Sequence, residues 1–156
     1  MSKSLKRVEA ALAAAGVAHE LKGLTASTRT AAEAAAAVGC EVDQIAKSIL
    51  FKGETGGHVV LFVTAGGRQV DAERASALAG ERLGKADADL IRAETGFVIG
   101  GVSPVGHLKP VRAFFDRHLL AFPLVWAAAG TPNHVFSIAP DALLGLSGAT
   151  LADFSA

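Results

Sequence analysis

The sequence predicts an α/β fold of the mixed α+β kind, a curved mixed β-sheet or partial barrel flanked by helices. Three observations carry that expectation. Alanine-rich segments with helical spacing interleave along the 156 residues with short β-branched and aromatic runs. Four of the helical segments stop at a glycine, and three open on Thr or Asp. Two apolar runs, 48–51 and 59–63, flank the glycine-containing stretch 52–58, which reads as an antiparallel hairpin. A doubly wound parallel sheet lacks such a hairpin, so a mixed sheet fits better.

The elements follow in order. Leu5, Val8 and Leu12 fall three and four apart, which makes 4–15 an amphipathic helix with Gly16 at its αL cap. Val17, His19 and Leu21 alternate as in a short strand. Thr30 and Glu33 form a capping-box pattern that opens an alanine-rich helix ending at Gly39, and 41–46 reads as one further turn. After the hairpin, Asp71 and Asp87 open short helices to residues 79 and 94, closed by Gly80 and Gly96. Phe97-Val98-Ile99 reads as a third core strand, running into a stretch, 100–107, too rich in Gly and Pro to be regular. Residues 111–115, 124–128 and 134–138 read as strands, and 141–146 as a last helical turn or two.

Composition bounds the function. A length of 156 residues suits one domain, expected to span 1–156. Half the residues (51%) are apolar and 19% are charged, which excludes a disordered chain. No apolar run approaches the roughly 20 residues of a membrane span, and the N-terminus lacks the apolar core of a signal peptide. The single cysteine, Cys40, allows no internal disulfide or multi-cysteine metal site and suits a reducing cytosol, so a cytoplasmic protein is expected. Fifteen basic residues balance fifteen acidic ones, which disfavours an extended nucleic-acid footprint while allowing a strand end held by a few local cations. DNA is not an expected partner.

Three places could carry chemistry. Lys47 stands between an apolar turn and an apolar strand, where an ammonium either snorkels to water or holds a phosphate or a developing oxyanion at a pocket mouth. Gly100-Gly101-Val102-Ser103-Pro104 is either a tight turn or a stiff backbone that can approach a ligand closely and orient a water or an ester. It is neither a dinucleotide fingerprint nor a P-loop. Gly130-Thr131-Pro132-Asn133-His134 is a turn that places an imidazole at the start of a strand, structural or active near neutral pH. His19, His58, His107 and His118 have no metal-ligand spacing, and Ser48 and Ser103 lack the setting of a nucleophile elbow. Asp116 ends a strand beside Arg117, and a surface ion pair is its plain reading.

In order and setting, these marks resemble one family. A capped alanine-rich helix precedes Gln44-Ile45-Ala46-Lys47-Ser48-Ile49-Leu50-Phe51, then come the GxxxP loop 100–104, the strand ending in Asp116, and 126–134. This looks like the YbaK / prolyl-tRNA synthetase editing-domain family of aminoacyl-tRNA deacylases, over roughly residues 5–150. The sequence shows no synthetase catalytic or anticodon-binding region, so the free-standing, trans-editing form is expected. The resemblance implies a metal- and cofactor-independent hydrolysis of the ester joining a wrong amino acid to tRNA, leaning on the terminal 2′-hydroxyl and on positioning. Lys47 matches the lysine that contacts the 3′-terminal nucleotide. Gly100, Gly101, Ser103 and Pro104 belong to the loop that places the scissile carbonyl and the attacking water. His134 and Asp116 match polar pocket positions in the synthetase-linked members, and Thr28, Arg29 and Gly130 join Asp116 as substrate-binding positions. Arg29 and Lys52, with Lys47, are candidate phosphate contacts. The implied partner is the mischarged tRNA 3′ end and acceptor stem, with prolyl-tRNA synthetase or an elongation factor as a further candidate. Two other functions stay open on the residues: a non-catalytic tRNA- or nucleotide-binding module of the same fold, and a hydrolase of small esters or other aminoacyl conjugates.

Overall fold

The computed structural model describes residues 2–25, 28 and 30–156. Helix α1 (Lys3–Ala15) starts where Ser2 Oγ accepts the Leu5 amide and ends at Gly16 with φ +65°, a left-handed value that favours glycine. Its buried stripe is Leu5, Val8 and Leu12, each contributing about 1.5–3 kcal/mol of apolar burial. Strand β1 (His19–Gly23) follows, then α2 (Ala31–Val38), capped by Thr30 Oγ1, which accepts the Glu33 amide. The expected turn after Gly39 shrinks to a single 3₁₀ turn, Val42–Gln44, because the chain is already extended at Ala46.

Strands β2 (Ala46–Gly53) and β3 (Val59–Ala65) form the expected hairpin, from Ala46 opposite Ala65 to Lys52 opposite Val59. Asp71 and Asp87 cap α3 (Ala72–Ala79) and α4 (Ala88–Thr95), with strand β4 (Leu83–Lys85) between them. Strands β5 (Arg112–Asp116), β6 (Val125–Thr131) and β7 (His134–Ile138), helix α5 (Pro140–Ser147) and strand β8 (Thr150–Ala152) complete the order.

The mixed sheet takes the form of two sheets. One runs β1-β7-β6 and is antiparallel; the other runs β4-β2-β3-β5-β8, with β2 antiparallel to its neighbours and β3, β5 and β8 parallel. A parallel bridge between Ile45 and Trp126 joins them, and no barrel closes among the described residues. The main core packs Val8 and Leu12 of α1 with Leu61 and Val63 of β3, Phe115, Phe136 and Leu143. On the far face of the second sheet, Phe62 stacks on Phe114 at 5.3 Å and meets Phe154 edge-on at 4.9 Å. No helix among the described residues is long and apolar enough to cross a membrane.

One expected strand is absent. Phe97-Val98-Ile99 is irregular: Phe97 plugs the core, while Val98 and Ile99 are 48% and 60% exposed. β4 and β8 were not anticipated, since three-residue strands carry almost no periodicity and are set by pairing with β2 and β5.

Candidate active site

Strand β2 from Ala46 to Phe51, strand β4, the β6–β7 hairpin and α2 surround a cleft of about 930 Å³. Lys47, Gly100, His134 and Thr28 all line it. The glycine–proline loop and the expected ammonium therefore face one hollow.

Lys47 is the second residue of β2, half-buried, and its Nζ donates to the Gly66 carbonyl at 3.3 Å. Burial lowers its pKa, and the charges of Asp43 and Asp116 work against that shift. The Nζ keeps donors beyond its one carbonyl, so it can hold an anion in the cleft.

Gly100 is exposed on the rim with φ +94°, a conformation that an L side chain would strain. Behind it the loop is packed solid. A Cβ on Gly101 would stand 2.8 Å from the Thr131 backbone, so loop and hairpin touch main chain to main chain. Ser103 is fully buried; its Oγ accepts the Val105 amide at 3.2 Å, and its carbonyl takes a hydrogen bond from His107 Nε2 at 2.7 Å. Pro104 is buried and, like Gly101 and Ser103, does not line the cleft. These residues support the rim rather than form it.

The opposite wall is the β6–β7 hairpin. His134 Nδ1 is hydrogen-bonded to Thr131 Oγ1 at 2.7 Å, and both residues line the cleft. A register shift between Ala128 and Thr131, with Gly130 at φ +97°, breaks the β6–β7 ladder at the hairpin end. Gly130 itself is buried against α1, where a Cβ would meet the Ser4 carbonyl at 2.8 Å. Thr28 is fixed by its amide, which donates to the Pro132 carbonyl at 3.1 Å. Arg29 lies outside the described residues.

Asp116 is elsewhere. It is 1% exposed, and its carboxylate accepts the Ala65 and His118 amides at 3.1 and 3.0 Å. It forms no ion pair with Arg117, which reaches Asp153 instead. Its closest link to the site is its charge, felt by Lys47. Lys52 is exposed on β2 and off the cleft.

Sequence reasoning missed Thr131, the hydrogen-bond partner of His134, and the apolar walls formed by Trp126, Ile99, Ala31 and Ala34. Only the hydroxyl three residues before His134 offered a signal. Ser48 also lines the cleft, with a buried Oγ that has no hydrogen-bond partner. Among the described residues no three His, Cys, Asp or Glu side chains come together as a metal set.

Residues 25–146 match the family described as the aminoacyl-tRNA editing domain. The chain is 32% identical over 117 residues to the uncharacterized protein YwhH of Bacillus subtilis (strain 168), covering 75% of this chain and 74% of that one. It is 25% identical over 127 residues, 81% of this chain and 77% of the other, to EbsC of Enterococcus faecalis, provisionally named a Cys-tRNA(Pro)/Cys-tRNA(Cys) deacylase. A crystal structure described as a candidate trans-editing enzyme for prolyl-tRNA synthetase superposes with a TM-score of 0.91 at 46% identity, covering 100% of this chain and 99% of that one.

Proposed function

Since this chain belongs to the aminoacyl-tRNA editing domain family, we propose that it edits in trans, hydrolysing the ester between tRNA(Pro) and a small non-cognate amino acid. Alanine, 2-aminobutyrate, serine, threonine and cysteine are the substrates in view. The prolyl assignment draws support from the trans-editing neighbour, and cysteine from the provisional name of EbsC. The observation that carries the reading is the placing of Lys47 and Gly100 on one cleft.

The chemistry needs little from the protein. An aminoacyl ester is already activated, so holding it beside a water in one orientation removes most of the entropic barrier. The stiff rim at Gly100 presents backbone to the acyl group, and Lys47 faces the phosphate of the 3′-terminal nucleotide. The His134–Thr131 pair offers a polar contact on the other side. No protein nucleophile is invoked: the Ser48 hydroxyl is hydrogen-bonded to no base among the described residues. A metal is not invoked either; water and the terminal 2′-hydroxyl supply the reacting groups.

The need for such an activity follows from pocket physics. A synthetase pocket shaped for proline rejects a side chain smaller by one methylene by only about 1–3 kcal/mol. A second site with an upper size limit removes what slips through.

The test is deacylation of tRNA(Pro) charged in turn with alanine, 2-aminobutyrate, serine, threonine, cysteine and proline. At least one small amino acid is lost faster than without protein, while proline is retained. Binding without turnover of any ester would instead leave a tRNA-binding module, and turnover of a free amino-acid ester as fast as the tRNA ester would leave a small-ester hydrolase.

A further inference from the structure

Arg7 lies on α1, N-terminal to residues 25–146 that match the family. Its Nη2 donates to the Gly96 carbonyl at 2.7 Å and its Nε to the Gly106 carbonyl at 3.2 Å. Those two carbonyls bracket the segment that carries Gly100 and Pro104, so one planar cation closes the base of the loop. The guanidinium also lies 4.8 Å from the centre of the Phe97 ring, which is wholly buried. His107 stands edge-on to Phe97 at 6.0 Å and donates to the Ser103 carbonyl within the loop.

The surroundings leave no slack. A Cβ on Gly106 would come within 3.3 Å of the Arg7 carbonyl, and one on Gly130 would meet Ser4. The amino-terminal half of α1 thus abuts both the loop and the hairpin, the two walls that face the substrate. A lysine could not replace this contact, because an ammonium on a flexible stem neither spans two carbonyls as a fork nor stacks as a plane.

We propose that Arg7 is a positioning residue for the hydrolysis: it clamps the 97–105 loop so that Gly100 presents its backbone to the ester in one geometry. This rests on the editing function proposed above for the cleft. Arg7 does not line the cleft, so its effect reaches the reaction only through the loop.

Three variants separate a clamp from a plain helix anchor. Arg7→Met keeps the apolar stem over Phe97 and removes the donors; Arg7→Lys keeps one cation; Ser2→Ala removes the α1 cap and none of the Arg7 hydrogen bonds. Hydrogen exchange over residues 98–105, kcat, KM and Tm are measured for each. In Arg7→Met, loop exchange accelerates at least about ten-fold and kcat falls about 10- to 100-fold with KM within three-fold, as expected for a misplacement near 1 Å. Arg7→Lys is intermediate. Ser2→Ala lowers Tm and leaves loop exchange and kcat at wild-type values. Unchanged loop exchange in Arg7→Met overturns the clamp, as does a kcat loss no larger than that of Ser2→Ala. Wild-type protein inactive on every ester would refute the editing function, and the exchange comparison alone then decides whether Arg7 fixes the loop.

Discussion

Lys47 holds its ammonium at the edge of the apolar core, and its charge is correspondingly easy to lose. Burial lowers its pKa, with Asp43 and Asp116 opposing. Between the lowered folded value and the unfolded one the native state binds fewer protons, so this group's contribution to stability rises with pH across that window. Activity runs the other way. Deacylation that needs the ammonium falls as pH rises through the lowered pKa, and its alkaline limb starts below the ordinary lysine value of about 10.4. Lys47→Arg carries its charge past that range and moves the limb out of it, whereas Lys47→Ala cuts kcat/KM by about 10²-fold or more at neutral pH. Rates corrected for uncatalysed ester loss at each pH check both; an unmoved limb in the arginine variant would remove Lys47 from the chemistry. At this scale Lys47, Gly100 and His134 could be picked out from the order of three marks along the sequence, and all three line the cleft. Asp116 was not: a carboxylate at a strand end reads the same whether it faces a substrate or caps two amides, as here.

The element that matters most is the loop between α4 and β5. Its irregularity could be read from its glycines and Pro104, but its direction could not. Phe97, Val98 and Ile99 look like a strand in composition, yet the first inserts into the core, Val98 is exposed, and Ile99, also exposed, lines the cleft. Its neighbours, Arg7 over Phe97 and the β6–β7 hairpin against Gly101, lie far away in sequence and leave no local trace. The helix caps, by contrast, are local chemistry: Thr30, Asp71 and Asp87 each accept an amide from the first turn of the helix they open. The contact of loop and hairpin yields a prediction. Any Cβ at residue 101 collides with the Thr131 backbone, so Gly101→Val pushes loop and hairpin apart and widens the cleft. It abolishes deacylation at a temperature where circular dichroism still shows folded protein. Wild-type turnover in that variant would mean the loop's seating does not matter to the reaction.

Across the whole molecule, fifteen cationic and fifteen anionic residues cancel, and the cleft presents few cations. Contact with two single-stranded phosphates gives a slope near −1.4 in log affinity against log salt, so KM rises about seven-fold between 50 and 200 mM salt. A rise beyond a hundred-fold would require about five or more phosphate contacts and would contradict a footprint confined to the strand end. The mixed α/β class could be read from the order of helical and strand patterns. The division into two sheets could not, since the Ile45–Trp126 bridge that joins them spans about half of the chain and follows no periodicity. The site forms at that junction, where β2 leaves one sheet and the β6–β7 hairpin ends the other. The most direct measurement is a crystal structure with a 3′-aminoacylamino-adenosine, a hydrolysis-resistant mimic of the charged tRNA end. Its acyl carbonyl is expected within hydrogen-bond reach of the backbone around Gly100, with the nucleotide beside Lys47. An ordered analogue bound anywhere else on the protein, with the cleft empty, would contradict the account.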